Sequence, residues 1–499
     1  MNEERQTKTP LHFDICDWIF LGVLLLAFLI RLNYFLITRD QPLWWDEAAY
    51  MLKAKALVYG TPETGWRQTR PLLLPMLAAA FFKIGLGETA IRLLWIVLST
   101  TGIFLLYRIG AAIIGKRVGL YAAILMSVFY VDLFYYTRLL VDTAQVFFIL
   151  AAALSLVCYL YGGGSKYTAW AVAPLIVIGT AMRFTAVLFF AVVGLFLFGL
   201  QGTRILKKRE WQVSAGLAFV TLLPLMLYYW IEDRNPLYPF FYERVLRVPG
   251  ATGNSFGKVF SEYIQYFPNY TNIAVTVVFI AGMVVAAVYL LRCFATVRAD
   301  RAGQAYALLL LWIAIPLLFF GFFVDHFEDR FLSMIFPAVF LLTGAAIDAG
   351  YNFLKRYSFS MAAAAVTLFL LYAAVSMALR SDAVIADNLN SFAAIQNAGL
   401  WIKAHSQPGD SVITSSVPQN TYYSERRSYA IPQQQEEFER RVAEHKPKYL
   451  VLSLWEQSPY WAYRWPAANP GKASAAAVFF FDEDRKRPAA IVYSLNPEN

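Results

Sequence analysis

Pro71-Leu72-Leu73-Leu74-Pro75-Met76-Leu77-Ala78-Ala79-Ala80-Phe81-Phe82-Lys83-Ile84-Gly85 is the stretch whose reading sets the topology. It is apolar, yet at about 15 residues it is shorter than the roughly 20 a helix needs to cross a bilayer. If it crosses, every later segment changes side. One run before it, Trp18–Ile37, is long enough to span. After it come Ile91–Ala112, Val118–Tyr136, Asp142–Tyr161, Tyr167–Met182, Phe184–Leu200, Trp211–Ile231, Thr271–Leu291, Gln304–Val324, Phe331–Tyr351 and Phe359–Leu379. The expectation is about eleven spans.

Loop charges decide between the two topologies. With the N-terminus inside and Pro71–Gly85 in the interface, Arg108, Lys116, Arg117, Lys166, Arg204, Lys207, Lys208 and Arg209 all fall on the cytoplasmic side, as do Arg292, Arg298, Arg301, Lys355 and Arg356. A full crossing would put every one of them outside, against the positive-inside rule. Pro71–Gly85 is therefore read as an interfacial or re-entrant helix in a multi-pass protein of the plasma (inner) membrane, with its N-terminus cytoplasmic.

Composition agrees. The 499 residues are 59% hydrophobic, 17% aromatic and 15% charged, whereas soluble chains carry about 25% charge. Disorder, a collagen-like repeat, a small disulfide scaffold and an ordinary cytosolic enzyme are excluded. The net charge of +9 is accounted for by cytoplasmic loops, so no nucleic-acid partner is expected. Cys16, Cys158 and Cys293 lie at or within apolar segments and indicate no disulfide framework. The first apolar run is too long for a signal peptide and lacks a small-residue cleavage site.

Three segments then lie outside the membrane: Thr38–Arg70, the Pro- and aromatic-rich Glu232–Tyr270, and everything after about Arg380. The chain divides into a membrane part, 1–380, and an extracytoplasmic soluble domain, 381–499. The latter alternates helix-like stretches (Leu389–His405, Gln433–His445) with β-like runs (Ser411–Ser415, Tyr449–Trp455, Ala476–Phe481, Ala489–Leu495), the pattern of a small α/β domain. No glycine-rich phosphate loop follows a strand there. Asp482-Glu483-Asp484, beside Arg485-Lys486-Arg487, reads as a solvated charged turn.

Ionisable groups at membrane depth are costly and need a reason. Trp44-Trp45-Asp46-Glu47-Ala48-Ala49-Tyr50 puts two carboxylates between interfacial aromatics. One reading is a helix N-terminus, with Asp46 as cap and Glu47 in the first turn. The other is a half-dry general base. The same face carries Arg70, Arg138 and Asp142, Arg183, and the group His326, Glu328, Asp329 and Arg330. Each alone reads as a helix-end or ion-pair residue. Together they gather carboxylates for proton transfer and guanidinium forks, which bind phosphate bidentately, at one membrane surface.

Trp45-Asp46-Glu47-Ala48-Ala49-Tyr50 followed by Arg70-Pro71-Leu72-Leu73 resembles the first external loop of GT-C glycosyltransferases, most closely the protein O-mannosyltransferase/aminoarabinose transferase group. Gly85-Leu86-Gly87-Glu88-Thr89-Ala90-Ile91-Arg92-Leu93 is similar to that group's G-E-x-x-x-R-L stretch. Arg138…Asp142 and Arg330-Phe331-Leu332…Pro337 resemble further landmarks. The resemblance implies an all-α polytopic bundle of GT-C type, with about 11 transmembrane helices plus interfacial helices, and a small C-terminal α/β domain. It implies transfer of a sugar from a polyprenyl-phosphate donor to a hydroxyl of a glycolipid, polysaccharide or protein on the extracytoplasmic face. Asp46 is then the catalytic base with Glu47 supporting it. Arg138, Arg183 and Arg330 bind the lipid phosphate, with Arg70, Asp142 and His326 completing the donor site. No cofactor is expected. A divalent metal, which some GT-C enzymes bind, would have Asp46, Glu47, Asp142 and His326 as its available ligands. The alternative class is a polytopic transporter or lipid flippase, but such proteins place charges near the bilayer midplane, and the middles of these spans read as almost free of charge.

Overall fold

The computed structural model describes residues 14–67, 70–162, 165–235, 257–324, 326–481 and 486–496. Most of the expected Glu232–Tyr270 loop and the Asp482-Glu483-Asp484 turn lie outside the described residues. The membrane part is helical: α1 (Ile15–Thr38), α2 (Trp45–Tyr59), α3 (Leu73–Lys83), α4 (Gly87–Ile113), α5 (Lys116–Ser127), α6 (Tyr130–Tyr136), α7 (Asp142–Tyr161) and α8 (Lys166–Met182). It continues with α9 (Leu188–Gln201), α10 (Arg209–Asp233), α11 (Lys258–Tyr270), α12 (Ile273–Arg292), α13 (Arg301–Phe323), α14 (Phe336–Leu354) and α15 (Phe359–Asp387). Among the described residues nine helical segments are long and apolar enough to cross a membrane, and α5 with α6, bent by 54° at their break, would make a tenth. The 17-residue α8 falls just below that length. These are the segments the sequence marks as spans.

The deciding stretch forms α3, whose 11 residues reach about 16 Å at 1.5 Å per residue, too short to cross. Ion pairs at one end of the bundle fix the sense of its neighbours. Lys116 Nζ, at the start of α5, binds Asp14 at 2.9 Å and Asp17 at 2.6 Å at the start of α1, and Arg301 donates to the Ala112 carbonyl near the end of α4 at 2.6 Å. Helix α1 therefore starts, and α4 finishes, at the same end, so α2 and α3 between them do not cross. Gly85 and Gly87, with φ of 79° and 67°, supply the left-handed turn that passes the chain from α3 into α4. Lys116, Arg117 (2.6 Å to Asp348) and Arg301 form the basic end; Asp46, Arg70 and Arg330 lie at the other.

Helix α14 is buried on nearly every face, as a helix apolar all round must be, and it anchors the residues just ahead of it. Helices α4 and α5 approach closely because Gly110 faces Gly119: a Cβ on Gly110 would lie 2.6 Å from the Gly119 Cα. The near absence of charge in the spans has a buried exception: the fully buried Arg31 of α1 pairs with Asp132 of α6, and Ser99 of α4 bridges them, accepting from Arg31 Nε at 2.6 Å and donating to Asp132 at 2.7 Å. Pairing and hydrogen bonding are what make such charges tolerable there.

Beyond α15 lies α16 (Ala393–His405), then a five-stranded sheet of β1 (Ser411–Thr414), β2 (Arg427–Ala430), β3 (Tyr449–Ser453), β4 (Ala473–Phe480) and β5 (Pro488–Leu495). The order is β2-β1-β3-β5-β4. β1 runs parallel to β2 and β3, and β5 antiparallel to β3 and β4. Alternation along the strands sends Val412, Val451 and Val492 to α16 on one face. Ile413, Leu450 and Leu452 face the other way, toward Phe438 and Trp465 of α18 (Gln435–His445) and α19 (Tyr460–Ala468). Helix α17 (Val417–Ser424), which follows β1, docks on the first loop of the membrane part. There the Leu43 amide donates to Tyr423 Oη at 2.8 Å, the Thr64 and Thr421 hydroxyls meet at 2.6 Å, and Lys55 Nζ lies 3.8 Å over the Tyr422 ring.

Candidate functional site

At the end of the bundle opposite Lys116 is a cavity of about 460 Å³. Its floor comes from the first turn of α2 and from the 328–330 segment ahead of α14, and its roof from the tail, where Phe392 and Glu456 line it. Asp46 lines it. One carboxylate oxygen accepts from Arg70 Nη2 at 2.7 Å and the other from Arg330 Nη2 at 3.0 Å. Arg330 is the hub: its Nε donates to Glu328 at 2.6 Å, and Nη1 lies 3.9 Å from Asp142. Asp142, buried at the start of α7, is also paired with Arg183. His326 Nε2 lies 3.3 Å from Glu328.

Six of the expected residues (Asp46, Arg70, Asp142, Arg183, His326 and Arg330) are thus joined in one chain of ion pairs through Arg330 and Glu328. Three guanidiniums balance the carboxylates of Asp46, Asp142 and Glu328, and this matched set holds Arg330 in a fixed orientation. Burial alone would raise the Glu328 carboxyl, but the His326 hydrogen bond and the Arg330 and Arg183 guanidiniums outweigh it and hold the group down at about 2. Asp329, just before Arg330, is fixed by the Tyr135 and Tyr130 hydroxyls at 2.7 and 3.2 Å.

Two expected residues are placed elsewhere. Glu47 is fully buried, and its carboxylate accepts the Trp44 amide at 2.8 Å and the Leu139 amide at 2.6 Å, with Arg138 Nη1 at 3.7 Å. Arg138, also fully buried, donates to the carbonyls of Pro42 at 3.3 Å and Asn388 at 3.1 Å and lies 4.3 Å over the Trp44 ring. The physical reason is helical geometry. Neighbours in a helix project about 100° apart, so with Asp46 toward the cavity Glu47 must point into the protein. The cap reading shifts as well: Trp44 occupies the N-cap position, and Asp46 and Glu47 both lie in the first turn. The Glu88 and Arg92 of the G-E-x-x-x-R-L stretch are likewise braces, to the Tyr422 hydroxyl and the Thr137 carbonyl.

Among the described residues no group of three His, Cys, Asp or Glu side chains converges to hold a metal ion. The carboxylates a metal would need are held by guanidiniums, and Glu47 faces away. Glu456 is the cavity carboxylate the sequence reading missed. Its one visible signal is position: Trp455-Glu456 repeats the aromatic–acid pairing of Trp45-Asp46, just past the carboxyl end of β3, the edge where open α/β sheets bind ligands.

A polytopic helical bundle with a guanidinium–carboxylate cavity at one end, roofed by a small mixed sheet, fits the GT-C type of fold expected from the sequence. Residues 69–230 match the family described as dolichyl-phosphate-mannose-protein mannosyltransferase. Among solved structures, the chain is similar to ArnT from Cupriavidus metallidurans bound to undecaprenyl phosphate, at 13% identity and a TM-score of 0.66, covering 96% of this chain and 98% of that one. It is similar in the same degree, 13% and 0.66, to the archaeal oligosaccharyltransferase AglB from Archaeoglobus fulgidus in complex with an inhibitory peptide and a dolichol-phosphate, covering 96% of this chain and 74% of that one. Sequence comparison with curated proteins gives no match. The fold is of the GT-C type that these structures share.

Proposed function

We propose that the protein is an integral-membrane glycosyltransferase that moves a sugar from a polyprenyl-phosphate donor to an acceptor hydroxyl on the extracytoplasmic face. The observation that carries this reading is Arg330, held between Asp46 and Glu328 on the floor of a membrane-surface cavity. A fixed guanidinium there meets the negative charge that builds on a departing lipid phosphate, and it needs no reorganisation to do so. Arg70 and Arg183 flank it. The bound undecaprenyl phosphate of ArnT and the dolichol-phosphate of AglB fit the same class of donor.

In the proposed reaction the acceptor oxygen attacks the anomeric carbon as the bond to the phosphate oxygen breaks, and the lipid phosphate leaves with that electron pair. The lipid carries the activated sugar, so no nucleotide site is required. Glu47 and Arg138 hold the first loop against the Leu139 backbone and keep Asp46 aimed at the cavity. The tail roofs the cavity through Phe392 and Glu456 and bears the acceptor side of the site. The test is transfer of label from undecaprenyl-phosphate sugars by membranes containing the wild type or Asp46→Asn. The asparagine frees Arg70 and Arg330 from their carboxylate, and transfer falls on the order of 100-fold or more. Unaltered turnover with a verified donor would remove Asp46 from the site.

A further inference from the structure

We infer that Glu456, supplied by the tail, takes the proton of the acceptor hydroxyl. The assignment rests on the glycosyltransferase reading and departs from the expectation that Asp46 is the base. Both Asp46 oxygens are already bound by guanidiniums, at 2.7 and 3.0 Å, and are occupied in holding Arg70 and Arg330. Glu456 lines the same cavity from above, and no described residue forms a hydrogen bond or ion pair with its carboxyl.

The loop that carries it is anchored at both ends. The Trp455 amide donates to Ser453 Oγ at 3.1 Å, the Ser458 amide donates to Tyr463 Oη at 3.0 Å, and the Ser458 and Ser415 hydroxyls meet at 2.9 Å. Aromatic contacts tie this loop to the floor: Trp455 to Phe392 at 5.1 Å between ring centroids, and Phe392 to Trp44 at 5.9 Å. Phe392 has a φ of 68°. A non-glycine residue held in that region is strained, and here it places the ring where it seals the roof to the first loop.

Burial, and secondarily the negative charge of Asp46, push the Glu456 carboxyl up to about 7. The ionisable groups facing it across the cavity are Asp46 from α2, Glu328, Asp329 and Arg330 from the segment ahead of α14, and the Tyr135 and Tyr266 hydroxyls of α6 and α11. In the step assigned to it, the acceptor O–H bond breaks and the proton passes to the Glu456 carboxylate. The freed oxygen pair forms the bond to the anomeric carbon, and the phosphate oxygen departs with the electrons of the broken bond.

The experiment is the pH profile of label transfer from undecaprenyl-phosphate sugars in membranes, for wild type, Glu456→Gln, Glu456→Asp and Asp46→Asn, alongside binding of undecaprenyl phosphate. The wild-type rate rises with pH through about 7, as the carboxyl must lose its proton to act. Glu456→Gln loses on the order of 100-fold or more of the rate and this limb of the profile, while still binding undecaprenyl phosphate like wild type. Glu456→Asp recovers part of the rate with the limb present. A Glu456→Gln protein with unchanged rate and profile overturns the assignment, as does loss of the limb in Asp46→Asn with the limb intact in Glu456→Gln. A folded wild type that transfers no sugar to any acceptor overturns the glycosyltransferase reading itself.

Discussion

Asp46 and Glu47 are adjacent in one helical turn, carry the same charge, and end in opposite surroundings. Asp46 opens into the cavity with about a third of its side chain exposed and two arginines on it. Glu47 has no exposed surface and is bound by two backbone amides and a buried arginine. The cavity cluster is an arrangement that a ligand can enter. The buried bracket ties 42–47 to 138–139 and 388 and leaves nothing for a ligand to meet. Equal charge and equal sequence context thus divide into chemistry and architecture by the roughly 100° that separates neighbours on a helix.

The difference can be broken from the buried side first. Arg138→Ala leaves Glu47 as an uncompensated buried charge and is expected to cost about 3–5 kcal/mol of stability, read as a lower melting temperature in detergent. Replacing both partners with apolar residues, Glu47→Leu with Arg138→Met, recovers much of that loss. A wild-type melting temperature in Arg138→Ala would contradict the bracket. On the cavity side, Arg330→Lys keeps the charge but loses the fork that reaches Asp46 and Glu328 together. Transfer from undecaprenyl-phosphate sugars should fall on the order of 100-fold while the melting temperature stays near wild type.

Acid sharpens the contrast further. The Glu328 carboxyl is held down at about 2 against an ordinary value of 4.5. A depressed acid contributes its stability in full above the unfolded value and loses it as pH falls through the folded one. The Arg330–Glu328 link is therefore expected to weaken as pH falls from about 4.5 toward about 2, and Glu328→Gln should remove that component of the acid sensitivity. The smallest effect is expected of His326→Ala. This ring is about half exposed and meets the cluster through Glu328, so transfer changes little and the acid loss begins at a slightly higher pH.

Much of this was legible in the sequence, for identifiable reasons. Hydrophobic length marked the spans, and the shortness of Pro71–Gly85, combined with loop charge, gave its course along one end of the bundle. Arginines on the face where positive charge is rare pointed to Arg70, Arg183 and Arg330. The separation of Asp46 from Glu47 was not legible, because the face of α2 that is buried depends on where residues 138–139 and α17 dock. The Arg31–Asp132 pair escaped notice because two charges inside apolar runs reveal their pairing only once α1 and α6 are packed. Strand β2, four residues beginning at an exposed arginine, has too little alternation to announce itself. Glu456 sits in a loop whose composition resembles any solvated turn, and only the docking of the tail turns it toward Asp46.

The account stands most directly on the affinity of the purified, folded protein for undecaprenyl phosphate, measured for wild type, Arg330→Ala and the bracket variant Glu47→Gln. If the cavity floor is the donor-phosphate site, Arg330→Ala loses about tenfold or more in affinity, as removal of one charge-assisted contact worth about 1.5–3 kcal/mol requires, and folded Glu47→Gln binds like wild type. Equal binding by wild type and Arg330→Ala, or a loss confined to Glu47→Gln, would contradict it.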